Sequence, residues 1–472
     1  MNPPVPADPD RLSALDAAFL DLETDRAPLH VGWTMRFSGE PPTLSALRRH
    51  VDGRLAAFPR FRRRVVEPAL GLGDPHWVDD AGFDVARHVH ALRLAPPSGP
   101  AELRDLAGVL LASPLEPHRP LWRMTLVTGL QGGGFALIGQ AHHALVDGVA
   151  ALEVAALVLD PLAAGRGTAG SAERWVPGAP PSAAGALGAA VRQRARGGAN
   201  AARELAGGAA DAARVAGSLV LPTATTALEQ SRTRARRTAF ASAPLTDVRD
   251  AARRHDATVN DALLAASAIA LGAALARRGD CPPSVRALVP ASTRSGGEQA
   301  ADLGNRISFL AIDLPLGEPD PVRVLRAVRA RTGARKRADH AGAGDALLRS
   351  ADLLPPAGRR AAARAAARAA RFTLVVSSVT GPAEPLALLG RELTGAWPAV
   401  PLLEGHALSI GALSYAGRLH AGVYADAHVV PDAAEIARDL ERALDALRTA
   451  PPQTGTPWRA RARARRDAAR TA

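Results

Sequence analysis

The stretch that decides the fold reads Phe135-Ala136-Leu137-Ile138-Gly139-Gln140-Ala141-His142-His143-Ala144-Leu145-Val146-Asp147-Gly148. Phe135 to Ala141 is nearly continuous apolar chain, which predicts a strand. Leu152, Ala155 and Leu159 then recur at helical spacing, which predicts a helix over Val149 to Leu159. The two histidines therefore sit where a strand ends in a turn. A rigid element can aim a reactive group there while backbone stays accessible. Upstream, Leu121 to Leu130 reads as a second strand, joined to the first through the Gly132-Gly133-Gly134 turn.

Working outward, Val31 to Phe37 reads as a strand and Leu44 to Ala57 as a helix. Ala163 to about Arg237 changes character: Ala, Gly, Arg and Pro dominate, and Trp175 is its aromatic exception. This is a connector, helical in parts such as Ala199 to Val215. A mixed pattern returns from Thr238. Leu245 to His255 and Asp261 to Arg277 read as helices. Val285 to Pro290, Ile307 to Leu314, Phe372 to Ser378, Leu408 to Ala416 and Leu419 to Ala425 read as strands, and Ala433 to Leu447 as a last helix. The expected architecture is α/β in two halves: residues 1–162, a connector over 163–237, a second half over 238–450, and a basic tail over 451–472. At 472 residues the chain is longer than one ordinary core supports, which agrees.

Composition narrows the function. The chain is 47% hydrophobic and carries one cysteine, which excludes disorder, a disulfide framework and a multi-cysteine metal site. The net charge of +12 suggests an anionic partner. Of the 58 basic residues only Lys336 is a lysine, so much of that charge reflects a GC-rich coding preference. Met1 to Asp10 lacks a basic segment followed by an apolar one, so no signal peptide is read. Met124 to Val146 is free of Asp, Glu, Lys and Arg but is broken by glycines and the histidines. Ala262 to Ala276 is shorter than the roughly 20 apolar residues a spanning helix needs and reads as a buried helix. The expected location is the cytoplasm, with membrane contact only at the surface.

Adjacent histidines on extended backbone point to opposite sides, so only one faces a given pocket. Imidazole is the side chain best suited to taking a proton at neutral pH. Asp147 is near enough to orient a histidine, hold the turn or cap the next helix, and Gly148 permits a tight conformation. A metal reading lacks a regularly spaced third ligand, and no His-x-x-x-His occurs here; His88 and His90 read as an ordinary strand pair. The residues alone leave acid–base chemistry and helix capping both open.

His142 to Gly148 resembles the HHxxxDG motif of CoA-dependent acyltransferases, and the surrounding blocks resemble the bacterial wax ester synthase/diacylglycerol acyltransferase family. Leu12 to Leu20 is similar to that family's opening segment, and Leu29-His30-Val31-Gly32 to its sequel. Pro120-Leu121-Trp122, Thr258-Val259-Asn260-Asp261, Val289 to Arg294, Gly304-Asn305-Arg306, Ser377 to Pro382 and Val430-Pro431-Asp432 are similar to later blocks, in order. Ser378 and Thr380 stand where the family usually has Asn and Pro. Gln140 and Ala141 replace a Lys and a β-branched residue, and Leu228 to Arg237 lacks an Asn-Gly-Pro-like element.

The resemblance implies two chloramphenicol-acetyltransferase-like halves with mixed sheets and an active-site tunnel between them. It implies acyl transfer from acyl-CoA, as co-substrate with no other cofactor, to diacylglycerol and to long-chain alcohols. His143 is then the general base, with His142 and Asp147 in support. Asn260, Trp122 and Gly148 are substrate-binding candidates, Asn260 as oxyanion donor or helix cap and Trp122 as tunnel lining or core. Cys281, beside Pro282-Pro283 with no neighbouring base, reads as structural. Arg360, Arg364, Arg368 and Arg371 form a stripe which, with the tail, suits an anionic membrane or lipid-droplet surface or else a solvated face. No nucleic-acid motif is present. An HHxxxDG enzyme with another acceptor, and a non-catalytic lipid-surface protein, are the alternatives.

Overall fold

The computed structural model describes residues 12–67, 75–146, 157–164, 175–179, 188, 217, 223–292, 307–338 and 356–451. Most of the connector, the tail, Asp147, Gly148 and the start of the helix expected at Val149 lie outside them.

Two mixed sheets organise the chain. The first half supplies β1 (His30–Phe37), β4 (Val89–Arg93), β5 (Trp122–Thr128), β6 (Phe135–His142) and β7 (Asp160–Pro161), with a separate hairpin of β2 (Arg63–Val66) and β3 (His76–Asp79). The second supplies β8 (Arg236–Pro244), β9 (Ser284–Ser292), β10 (Ile307–Pro315), β11 (Leu374–Thr380), β12 (Leu386–Leu388), β13 (Arg391–Ala399), β14 (Leu408–Tyr415) and β15 (Arg418–Asp426). The first sheet runs β4-β5-β6-β1-β13-β12-β7 and the second β10-β9-β11-β14-β15-β8. Parallel pairs (β4 with β5, β11 with β14 and β9) mix with antiparallel ones.

β6 is central and buried throughout. Its period of two splits the core: Phe135, Leu137 and Ala141 join Phe37, Met35 and Trp122, while Ala136 and Ile138 face Leu103, Ala107 and Leu111 of the helix Pro100–Ala112. The turn before β6 holds Gly132, Gly133 and Gly134 at φ between 75° and 81°, a region L-residues rarely adopt. In the second half the helix Val259–Ala276 is apolar nearly all round and buried among its neighbours. It is long and apolar enough to cross a membrane, but it forms the middle of that core.

The halves are not joined as simply as the sequence suggests. β12 and β13 belong by sequence to the second half but pair into the first sheet, β13 running antiparallel to β1 with Gly32 opposite Ala399. The connector read over 163–237 also ends early. Leu228 is fully buried in the second core, and β8 begins at Arg236. Asp426 explains the ordering before β8: its carboxylate accepts the backbone N–H groups of Arg232 and Thr233, each at 2.9 Å. At the seam, Gly108 lies so close to β8 that a Cβ would meet Arg236 O at 2.3 Å. Thr238 Oγ1 donates to Arg104 O at 2.8 Å, and Tyr424 Oη to Leu111 O at 3.3 Å.

Candidate active site

His142 closes β6 opposite His30 of β1, and His143 opens the turn that follows. The His143 N–H donates to Leu29 O at 2.9 Å, which pins the turn to the residue preceding β1. Leu145 and Val146 N–H both donate back to His142 O, at 2.8 and 3.2 Å.

The two rings go to different partners, as alternating backbone requires. His142 is 1% exposed; its Nδ1 accepts the Ala144 N–H at 3.0 Å, and its Nε2 lies 3.5 Å from Glu23 Oε2. His143 is half-buried and stacks on Phe19 with centroids 3.9 Å apart and planes 14° from parallel. Phe19 belongs to the helix Ala14–Leu22, which starts in a capping box made by Ser13 and Asp16. Phe19 and Leu15 pack against Leu29, so one helix covers the histidine turn and the segment leading into β1.

The second half holds that helix in place. Arg360 Nε donates to Asp21 Oδ1 at 2.7 Å, and Arg364 Nε to Asp21 O at 3.1 Å, both from the helix Pro356–Ala369. Two members of the expected Arg stripe are therefore engaged across the molecule; Arg368 and Arg371 are exposed.

Glu23 was not singled out from sequence. It follows the helix Ala14–Leu22 directly, and its carboxylate also lies 3.1 Å from His30 Nε2. Burial pushes Glu23 up, but hydrogen bonds from His142 and His30 outweigh it and hold the carboxyl well below its ordinary range. Burial pushes His30 down, opposed by Glu23.

The remaining candidates divide. Trp122 is 1% exposed, enclosed by His88 and Phe61, and its Nε1–H donates to Phe61 O at 2.7 Å. This places Trp122 in the core of the first half, with His88 stacked on its ring and its polar edge satisfied. Asn260 lies in the first turn of the helix Val259–Ala276, half-buried. It is not the cap. Thr258 and Asp261 form the capping box, and Asp261 also accepts from Thr332 Oγ1 at 2.7 Å. That leaves the Asn260 amide outside the cap. No hydrogen bond joins it to either histidine among the described residues. Cys281 is exposed.

The order of blocks around this turn recurs in known proteins. The family model of the wax ester synthase/diacylglycerol acyltransferase catalytic domain matches residues 12–263, and that of the family's C-terminal domain matches residues 303–448. The chain belongs to the wax ester synthase/diacylglycerol acyltransferase family. A Mycobacterium tuberculosis member named "Probable diacyglycerol O-acyltransferase tgs1" is 32% identical over 458 residues, 93% of this chain and 96% of its own. The structure of the wax ester synthase/diacylglycerol acyltransferase from Marinobacter aquaeolei VT8 superposes with a TM-score of 0.68 at 23% identity, covering 93% of this chain and 98% of that one. The first condensation domain of the calcium-dependent antibiotic synthetase shares the fold more distantly, with a TM-score of 0.60 at 17% identity over 94% and 97% of the two chains. The two-half mixed α/β fold expected from the motif is thus the fold of the family. The family's catalytic-domain match runs past the connector to residue 263, so it includes β8 and the first turn with Asn260.

Proposed function

We propose that the protein transfers a fatty acyl group from acyl-CoA to the hydroxyl of diacylglycerol, and to long-chain alcohols, with His143 as general base. The observation that carries this reading is family membership over both halves, with the HHxxxDG residues intact in the sequence and His143 held half-buried on Phe19. The reaction needs few parts. The acceptor hydroxyl gives its proton to the His143 imidazole as its oxygen attacks the thioester carbonyl. The tetrahedral intermediate then expels the CoA thiolate, and the imidazolium returns the proton to sulfur. The ester bond forms, the thioester bond breaks, and free CoA leaves. Base assistance of this kind is worth about 10²–10⁴-fold.

Asn260 is assigned the oxyanion, because its amide is spare from the capping box and an amide N–H can stabilise that charge. His142 supports the turn; Asp147 and Gly148 complete the motif in sequence and lie outside the described residues. The acyl chain and the acceptor enter a tunnel between the halves. The presence of Phe19, Leu15, Leu22 and Leu403 in one apolar cluster beside His143 supports an apolar acyl site there. Location in the cytoplasm, against an anionic membrane or lipid-droplet face, is part of the same proposal. The exposed Arg368 and Arg371 support it, each basic residue at such a surface contributing about 1 kcal/mol.

The test is purified protein with one acyl-CoA, diacylglycerol and hexadecanol in parallel, and released CoA as readout. Acceptor-dependent CoA release is expected. No CoA release with either acceptor would assign the fold to another acceptor or to a non-catalytic role. Liposome co-sedimentation across salt concentrations tests the surface: anionic vesicles should bind at low salt and release at high salt.

A further inference from the structure

The helix Ala14–Leu22 does something unusual for its own stability. It ends with Asp21 and then Glu23, two acidic residues at the end where the macrodipole disfavours negative charge. Asp21 is accounted for by Arg360 and Arg364. Among the described residues no Arg or Lys pairs with Glu23 in the same way. Its carboxylate lies instead between the rings of His30 and His142, Oε1 at 3.1 Å from one Nε2 and Oε2 at 3.5 Å from the other.

The His142 ring is held by a hydrogen bond at Nδ1, and its Nε2 faces the Glu23 carboxylate at 3.5 Å. Nδ1 accepts the Ala144 N–H, so it carries no proton and the ring's proton sits on Nε2. Nε2 is the nitrogen that faces Glu23, where an anion favours that tautomer. Ala144 N–H, Leu145 N–H and Val146 N–H all return to His142, to its ring or its carbonyl. The backbone carrying His143 is therefore wrapped around His142, and the helix that ends at Glu23 also carries the Phe19 ring under His143. His30 faces Glu23 through Nε2, and among the described residues its buried Nδ1 has no hydrogen-bond partner, as suits a neutral ring donating to a carboxylate.

We propose that Glu23 is a positioning residue of the active site: it locks the His142 ring in one tautomer and orientation, and through the 142–146 turn fixes His143 for proton transfer. The inference rests on the reading of His143 as the base. Glu23 does not touch the reacting atoms; its effect passes through His142. A side-chain carboxylate that orients a histidine without itself taking a proton is a recurring arrangement in acyl-transfer sites. It is one-third exposed, so its removal leaves no large cavity.

The test uses the full chain with acyl-CoA and diacylglycerol. Glu23→Gln keeps size and loses the charge. The expected result is a kcat lowered about ten- to hundredfold, the range a small misplacement of a catalytic group produces. KM and melting temperature should be little changed. In a His142→Ala background the same substitution should lower kcat by less than twofold, because the route has already been cut. A kcat within twofold of wild type, a raised KM with unchanged kcat, or full additivity with His142→Ala would each overturn the proposal. A measurement that needs no variant adds to it. Nitrogen shifts of ¹⁵N-histidine-labelled protein should show His142 protonated on Nε2, and an Nδ1-protonated His142 would overturn the proposal as well. Wild type and His143→Ala run beside these distinguish the two levels. If wild type turns over, His143→Ala does not and Glu23→Gln does, this inference alone fails; if His143→Ala also turns over, the base assignment fails.

Discussion

His420 makes acid the condition under which the join between the halves should fail. It sits on β15 opposite Ser242 of β8, 2% exposed, with Nδ1 2.9 Å from Ser242 Oγ. Trp397, which belongs to the strand inserted into the first sheet, packs edge-on against its ring at 5.3 Å and donates to the same hydroxyl at 3.2 Å. Burial, with some help from Arg418, lowers this imidazole from its ordinary 6.5 to about 4. The sign follows directly. Between those values the unfolded chain binds a proton that the folded chain refuses, so stability rises with pH there and is lost as pH falls. At pH 4 the penalty from this one residue is about 3 kcal/mol, against almost none at pH 7. Burial also lowers His30, His50, His88 and His406, so wild type alone would not isolate the effect. Urea unfolding of wild type and His420→Gln at pH 7, 6, 5 and 4 does. The difference between the two stabilities should narrow by about 3 kcal/mol from pH 7 to pH 4, because the variant no longer pays to keep that site neutral. Parallel pH curves for the two proteins would refute the reasoning.

Other consequences follow from the same geometry. Gly108→Ala places a methyl on the Arg236 carbonyl, a backbone atom that cannot swing away; the expected loss is about 1–3 kcal/mol by thermal melting, and an unchanged melting temperature would contradict the close approach of that helix to β8. Thr258→Ala removes half of the capping box before the core helix and should cost about 0.5–2 kcal/mol in urea unfolding. Asn260→Ala should leave the melting temperature unchanged and lower turnover about 10²–10³-fold, as loss of an oxyanion donor does; the reverse pattern would return Asn260 to a structural role.

Local chemistry was legible in the sequence where one element explains it. The run Phe135 to Ala141 was read as a strand and is β6, and the three glycines before it do hold left-handed backbone. The helices starting near Leu245, Asp261 and Ala433 appear within a few residues of those limits. Sequence offers Asn260 as a helix cap because a family block and a capping box overlap there; Thr258 and Asp261 on either side of it make the cap.

What escaped was long-range. Arg391 to Ala399 contains Gly395 and Pro398 and shows no clean alternation, so nothing local marks it as a strand, still less as one that leaves its own half to pair with β1. Leu228 to Thr233 reads as connector because its order comes from Asp426, almost 200 residues away. Glu23 and Phe19 were invisible as site residues for the same reason: their roles exist only once the helix Ala14–Leu22 lies over the histidine turn. The Arg stripe has a partner that periodicity does not reveal. Arg360 and Arg364 remain at the surface, as periodicity predicts, and both also hold Asp21 of the first half.

The measurement that bears most directly on the account compares His143→Ala with His142→Ala, both confirmed folded by melting, in acyl-CoA turnover with diacylglycerol. The account predicts that His143→Ala loses at least 10²-fold in kcat, the low end of what a general base supplies, while His142→Ala retains a weaker but measurable rate because the base itself is still present. Turnover by His143→Ala at the wild-type rate would contradict it.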